Sequence, residues 1–306
     1  MHVLGALRAG ATGRMMRVCA ARLTSQAAAH ASRHHGTHNL ALTFSGSGMM
    51  MVWQMGVASA LRCDERFMAR VARVLGTSGG ACVGAMLLAS PPGAFEAAVR
   101  HYTSGALLRE VRAPRDLFAP HDELLSRTVA SLGALPAGSG ARLRGRFAAH
   151  VTPCEWPPRN VALSDFADDG ELLRAISASC CLLPTEPVAW GGARYFDGGL
   201  SDPMPADDEL PTVTVSILAG AGVDVAPSEA PPLSSRRELP QWRRDHVFLR
   251  YDASAANARA LVDAAFMGAA RAQWRFEQGS SDGRAFLQSI GHDPPPRPQA
   301  PQAVTI

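Results

Sequence analysis

Apolar residues fall in short, charge-free runs that end on turns rich in glycine and serine. Leu40, Ala41, Leu42 and Phe44 predict a strand over 38–44, which runs into Ser45-Gly46-Ser47-Gly48. Trp53, Val57, Ala60 and Leu61 recur at helical spacing and predict a helix over 49–61. Val71 to Leu75, interrupted by Arg73, predicts a second strand. It enters Gly76-Thr77-Ser78-Gly79-Gly80 and then an apolar helix over about 81–89 that Pro91-Pro92 stops. The stretches 40–61 and 74–95 carry no charge at all, which raises the alternative of a membrane hairpin. Their interior Gly/Ser clusters and strand–turn–helix breaks argue instead for strands buried on both faces of a parallel sheet.

Further along the pattern is weaker. Residues 100–150 are mixed, with Asp122-Glu123-Leu124-Leu125 opening a helix and Leu132 to Gly145 reading as a loop. A strand is predicted over Asn160–Phe166 and a short helix over 170–178. Ala193–Phe196 predicts another strand, leading into Asp197-Gly198-Gly199. Thr212 to Leu218 alternates Thr and Val, a strand with one wetter face. A Pro-rich loop follows over 226–240. One long helix over about 254–278 sets Leu261, Ala265 and Gly268 on one side and Arg259, Asp263, Arg271 and Arg275 on others. The expected organisation is a leader (1–37), an α/β domain (38–220), a helical extension packed on it (221–290) and a Pro-rich disordered tail (291–306). Strands alternating with helices imply a mainly parallel sheet covered on both faces, with its site at the carboxyl ends of the strands.

Composition narrows the classes. Of 306 residues, 47% are hydrophobic and 19% charged, with 28 Gly and 22 Pro, which excludes a coiled coil and a chain disordered throughout. A net charge of +3 is too weak a field to argue for nucleic acid. All 30 basic residues are Arg; five precede residue 40, and no acid precedes Asp64. That leader reads either as an organellar transit segment, mitochondrial or plastid, or as an unstructured Arg/Ala-rich extension. It has no long apolar run of the kind a secretory signal needs. The six cysteines show no C-x-x-C spacing, as expected of reduced thiols in an intracellular protein.

Three segments hold candidate chemistry. Gly76–Gly80 is a G-x-S-x-G pattern between an apolar strand and an apolar helix, the context that pushes a serine hydroxyl out of a sheet on a strained turn, here Ser78. Small residues two before and two after the serine let that turn close. Gly46-Ser47-Gly48 sits in a second strand-to-helix turn, where free N–H groups hold an anion, whether an oxyanion or a phosphate, or simply turn the chain. Asp197-Gly198-Gly199 places a carboxylate at a strand end, either to accept a proton or merely to start a turn. A Ser-His-Asp hydrolase would use a histidine after Asp197. His292 adjoins the tail, and His246 lies among Arg243, Arg244 and Asp245. Like His101, His121 and His150, His246 reads as a surface residue.

Together these segments resemble the patatin-like phospholipase family, over about residues 38–220 and in the family's order. The resemblance is closest to the branch that includes adipose triglyceride lipase, through T-F-S-G-S-G, M-G-V-A-S-A-L-R, G-T-S-G-G, R-Y-F-D-G-G-L-S-D-P-M-P and T-V-T-V-S. It implies a three-layer α/β/α fold and a Ser–Asp dyad. Ser78 would be the nucleophile and Asp197 the base, followed by the Gly198-Gly199 turn. Gly76, Thr77, Gly79 and Gly80 would form the nucleophile elbow, and Gly46, Ser47 and Gly48 the oxyanion hole. The chain departs from the family at Met51, where the third glycine of G-x-G-x-x-G usually stands. Met49, Met50 and Trp53 replace the basic residue of many plant-type members.

The resemblance implies hydrolysis of fatty-acyl esters of triacylglycerol or phospholipid at a membrane or lipid-droplet surface. Acyl transfer to a glyceride or lysophospholipid is the alternative within enzymes, and a silent lipid-binding or droplet-coating protein the alternative outside them. No metal or other cofactor is expected. A protein activator is possible, and its identity is unknown from sequence. Met49, Met50, Met51, Trp53 and Met55 suit a core helix or an acyl groove. Leu239 to Arg244 has the composition of an exposed loop or a lipid-facing one.

Overall fold

The computed structural model describes residues 40–103, 135–182, 186–229 and 251–292. The expected Asp122 helix, His121, His246, Leu239 to Arg244, the leader and most of the tail lie outside them. Among the described residues no helix is long and apolar enough to cross a membrane.

The uncharged runs become the centre of a seven-stranded mixed sheet flanked by helices, the expected α/β architecture. Its strands are β1 (Leu40–Phe44), β2 (Val71–Thr77), β3 (Phe147–Pro153), β4 (Val161–Leu163), β5 (Val188–Trp190), β6 (Ala193–Asp197) and β7 (Thr212–Val215). β3, β2, β1 and β7 are mutually parallel, and β1 is buried along its whole length, which is why it contains no charge. Through paired neighbours the order is β5-β6-β3-β2-β1-β7, with β4 also pairing β3; β4 and β6 are antiparallel to β3, and β5 to β6.

The register on β3 sets the site. Ala149 faces Gly76 of β2 on one edge and Leu163 of β4 on the other. His150 is flanked in the same way by Thr77 and Ala162, and Val151 by Asp197 of β6 and Val161. Because β4 occupies one edge at Ala149, His150 and Val151, where β2 and β6 also pair, β2 and β6 share the other. They run toward each other and stop at adjacent positions, so Ser78 and Asp197 emerge from facing strand ends.

The helices are α1 (Met51–Arg62), α2 (Glu65–Met68), α3 (Gly79–Ala89), α4 (Pro92–Thr103), α5 (Ser139–Leu143), α6 (Asp169–Ser179), α7 (Ala255–Ala265) and α8 (Ala269–Ser289). Three sequence expectations are corrected. The single helix over 254–278 is two, broken by extended backbone at Phe266 and Gly268, and the second runs on to Ser289. The loop over Leu132 to Gly145 contains α5, because the Asp169 carboxylate accepts the Gly138 and Gly140 N–H groups (2.8 and 2.7 Å) and caps it from outside. His150 is buried on β3 rather than on the surface.

α8 is part of the core rather than an appendage. It lies against α1 so closely that a Cβ at Gly279 would stand 2.0 Å from the Trp53 carbonyl oxygen. The Trp53 indole donates to Asp282 (2.9 Å) in the same interface. Gly279→Ala is therefore expected to lower stability by about 1–3 kcal/mol, read as a fall in thermal midpoint, since rigid backbone opposes the added carbon. Gly268→Ala, with nothing within 4 Å, is expected to leave the midpoint close to wild type.

Candidate active site

Ser78 caps the start of α3 with φ 55° and ψ −128° and is the sole non-glycine residue of positive φ among the described residues. Such a conformation costs about 1–3 kcal/mol and persists only where surroundings enforce it. Three elements do so. The Ser78 N–H donates to Ser179 Oγ at the end of α6 (2.9 Å), and Ser179 Oγ donates to the His150 carbonyl on β3 (2.7 Å). The Ser78 carbonyl accepts the Ala81 N–H (2.8 Å). The flanking glycines are demanded by contact: a Cβ at Gly76 would stand 2.5 Å from Ala81 Cα, and one at Gly80 2.3 Å from the Phe44 carbonyl oxygen. The Ser78 residue itself stays partly open to solvent.

Asp197 ends β6 and is only 1% exposed. Its N–H donates to the Cys181 carbonyl (2.8 Å), and its own carbonyl accepts the Thr152 hydroxyl (2.8 Å). Oδ1 accepts the Gly199 N–H (2.7 Å), while Oδ2 is buried with no partner. Burial pushes this carboxyl up from about 3.8 to about 6; the Gly199 N–H and the nearby Ser78 hydroxyl oppose the rise. The Ser78 hydroxyl acts from a position that closes no hydrogen bond with Oδ2.

The Gly46 turn lies against the same point. A Cβ on Gly46 would come within 3.9 Å of Ser78 Cβ, and one on Gly79 would stand 2.5 Å from Ser47 Oγ. The Gly46 N–H is committed to the Pro203 carbonyl (2.8 Å). The N–H groups of Ser47 and Gly48 make no hydrogen bond within the described residues. Of the three expected donors, two are therefore available. Gly48 has φ 48°, and α7 crosses it so closely that a Cβ would stand 2.5 Å from the Ala264 carbonyl oxygen. Met51, at the position of the missing third glycine, has ordinary right-handed backbone (φ −52°, ψ −27°) and a buried side chain, so nothing there requires glycine. Met50, Trp53 and Met55 are likewise core residues.

No histidine ring reaches the pair among the described residues. His101 is exposed, and His292 pairs with Asp64 (2.8 Å). The His150 ring hydrogen-bonds Asn160 Oδ1 (2.5 Å), and burial lowers its pKa. Among the described residues no cluster of three or more His, Cys, Asp or Glu could hold a metal ion. Sequence reasoning missed Ser179, which fixes Ser78, and the group behind Asp197. There Thr152 contacts Ser201 (2.8 Å), to which Asn160 donates (3.2 Å).

The patatin-like phospholipase family model matches residues 42–210, more than half of the chain and all three motif segments. The chain belongs to this family. Patatin-like phospholipase domain-containing protein 2 of Rattus norvegicus is 31% identical over 202 residues, which is 62% of this chain and 40% of that protein. The Homo sapiens protein of the same name is 28% identical over 284 residues, covering 85% of this chain and 52% of it. The Homo sapiens 1-acylglycerol-3-phosphate O-acyltransferase PNPLA3 is 31% identical over 195 residues, covering 61% and 39%. This patatin-like chain thus spans about half the length of the curated relatives it matches, or less.

The Asp197 carboxyl generates a stability prediction for the patatin-like core. Its folded pKa of about 6 exceeds the ordinary 3.8, so the folded state binds the proton more tightly than the unfolded one. Stability from this group is then full below pH ~4 and is withdrawn as pH rises to ~6, by roughly 3 kcal/mol. Asp197→Asn removes that loss. The variant is expected to melt above wild type at pH 7.5 and close to it at pH 4, measured by thermal unfolding at both values.

Proposed function

We propose that this protein is a serine lipid acyl hydrolase that cleaves fatty-acyl esters of triacylglycerol or phospholipid through a Ser78–Asp197 dyad. The observation that carries the reading is the pairing of a strained, partly exposed serine with a buried, under-bonded carboxylate at facing strand ends. The Ser78 hydroxyl attacks the ester carbonyl as Asp197 takes its proton, and the acyl-enzyme forms as the alcohol leaves with that proton. Water, deprotonated by the same carboxylate, then releases the fatty acid and restores Ser78. The tetrahedral oxyanion is held by the Ser47 and Gly48 N–H groups, with the positive end of α3 beside it. A base with a pKa of about 6 is ionised at neutral pH yet basic enough to accept a proton. Nothing in this cycle requires a metal.

Acyl transfer is the second reading, favoured by the acyltransferase named among the relatives. Either path passes through the same acyl-enzyme and differs in whether water or a lipid hydroxyl accepts the chain.

Fluorophosphonate labelling of the full chain is expected to modify Ser78 and to vanish in Ser78→Ala. Asp197→Asn is expected to lower kcat/KM by at least about a hundredfold, the scale of a lost general base. The wild-type kcat/KM should fall below pH ~6 with one acid limb, since protonating Asp197 removes the base. Retained turnover in Asp197→Asn, or loss of it in His246→Ala, would overturn the dyad. Product analysis with triolein, phosphatidylcholine and an added monoacylglycerol separates the substrates and the two acceptors.

A further inference from the structure

Helix α7 is inside out. Its inner stripe holds Asn257 and Asp263, both buried, alongside Ala256 and Ala260. Asn257 is clamped to the Ala219 backbone in both directions (2.9 and 2.8 Å), and Asp263 lies beneath Arg271 (3.0 Å) and the buried Arg275. Its outer face carries Leu261 and Val262, 54% and 60% exposed, and Phe266 follows at 55%. With Trp274 at 37%, these are four of the seven large apolar side chains that stand exposed among the described residues. A surface helix ordinarily does the reverse, burying its apolar stripe and turning charge to water.

The location of this face matters as much as its composition. The Ala264 carbonyl of α7 is the group against which Gly48 packs, so the apolar face borders the turn proposed to hold the oxyanion. Its charge is mixed: two arginines lie close by, and on α8 the exposed Glu277, one turn from Trp274, accepts from Gln273 (2.7 Å). Arg259 is exposed on α7, and the Arg271 guanidinium stacks 4.1 Å over the Trp274 ring, while the acid between them, Asp263, is buried and already paired. Apolar side chains flanked by arginines and an aromatic ring complement an acyl layer beneath anionic headgroups.

We infer that the outer face of α7, with Phe266 and Trp274, is the surface by which this protein docks on a lipid monolayer or bilayer, delivering an ester to the mouth beside Gly48. The inference rests on the hydrolase reading for its purpose but not for its geometry. Each large side chain that leaves water for the acyl layer strengthens binding by about tenfold or more, and the arginines add a salt-sensitive increment. Docking of this kind places the α7–Gly48 edge against the lipid.

The test uses the full chain with Val262→Asp/Phe266→Asp, and separately Arg259→Gln. Co-flotation is measured with phosphatidylcholine vesicles with and without phosphatidylserine, and hydrolysis with emulsified triolein and with the soluble ester p-nitrophenyl butyrate. The double variant is expected to lose about tenfold or more in vesicle binding and in triolein turnover, and to keep soluble-ester kcat/KM within about twofold. Arg259→Gln is expected to weaken binding to phosphatidylserine-containing vesicles alone. Unchanged vesicle binding overturns the inference. So does a parallel loss on the soluble ester, or a wild-type dimer that the double variant dissolves, which would assign the face to a second copy of the chain. Wild-type protein that floats with vesicles but neither labels with fluorophosphonate nor turns over either ester would leave the docking face standing and remove the hydrolase.

Discussion

Two strand ends meet on one edge of β3, and the candidate site exists because they do. β2 climbs that edge to Thr77 opposite His150, and β6 descends it to Asp197 opposite Val151. Parallel strands alone would place every carboxyl end at the same rim, side by side. Reversing one strand on a shared edge sets two chain exits face to face, at adjacent rungs of the ladder. The pairing also explains why β4 is needed. It fills the far edge of β3 over Ala149–Val151, so Asp197 meets Val151 on the edge that β2 uses. Two residues 119 positions apart in sequence are thus brought together by main-chain hydrogen bonding, before their side chains contribute anything.

Both principal groups stand where folding alone would not put them. Ser78 occupies left-handed backbone that glycine would accept more readily, and Asp197 buries an oxygen that nothing bonds. The structure bears these costs by anchoring the main chain rather than the reactive atoms. Ser179 takes the Ser78 N–H, Thr152 the Asp197 carbonyl, and the Cys181 carbonyl the Asp197 N–H. The Ser78 hydroxyl and Asp197 Oδ2 are left without a closed hydrogen bond to each other, the state that the proposed roles of nucleophile and base call for.

What sequence revealed followed from how local each signal was. The G-x-S-x-G elbow was legible because its constraint is steric and spans five residues: Gly76 and Gly80 must be bare where Ala81 and Phe44 press on them. The strand before Asp197 was legible for the same reason. β3 was not, since Arg144, Gly145 and Arg146 lead into it and its two-sided burial is visible only once β2, β4 and β6 are in place. α5 was hidden because Gly138 and Gly140 are poor helix formers, capped by a carboxylate some thirty residues away. The three-donor reading of the Gly46 turn failed to anticipate Pro203, whose carbonyl takes one N–H from a loop no local pattern links to it.

The break between α7 and α8 was missed for a more instructive reason. The periodicity over 254–278 is real, but reading it as one amphipathic helix assumes that apolar means inside. Here Asp263 and Arg275 satisfy each other beneath the surface, and the helix turns its leucine, valine and following phenylalanine outward. A buried ion pair contributes little net stability, since desolvating both charges offsets most of their attraction, so stability alone does not account for this arrangement. What the pair does provide is orientation. With the charges anchored inward by Arg271 and Arg275, α7 cannot roll to bury its apolar side, and the backbone at Ala264 stays pressed on Gly48. The same buried charges that defeat a simple hydrophobic reading fix both the turn beside Ser78 and the apolar face next to it. The placing of α7 against Gly48, and of the surface around it, therefore rests on the Asp263 ion pairs together with the Asn257 clamp to Ala219.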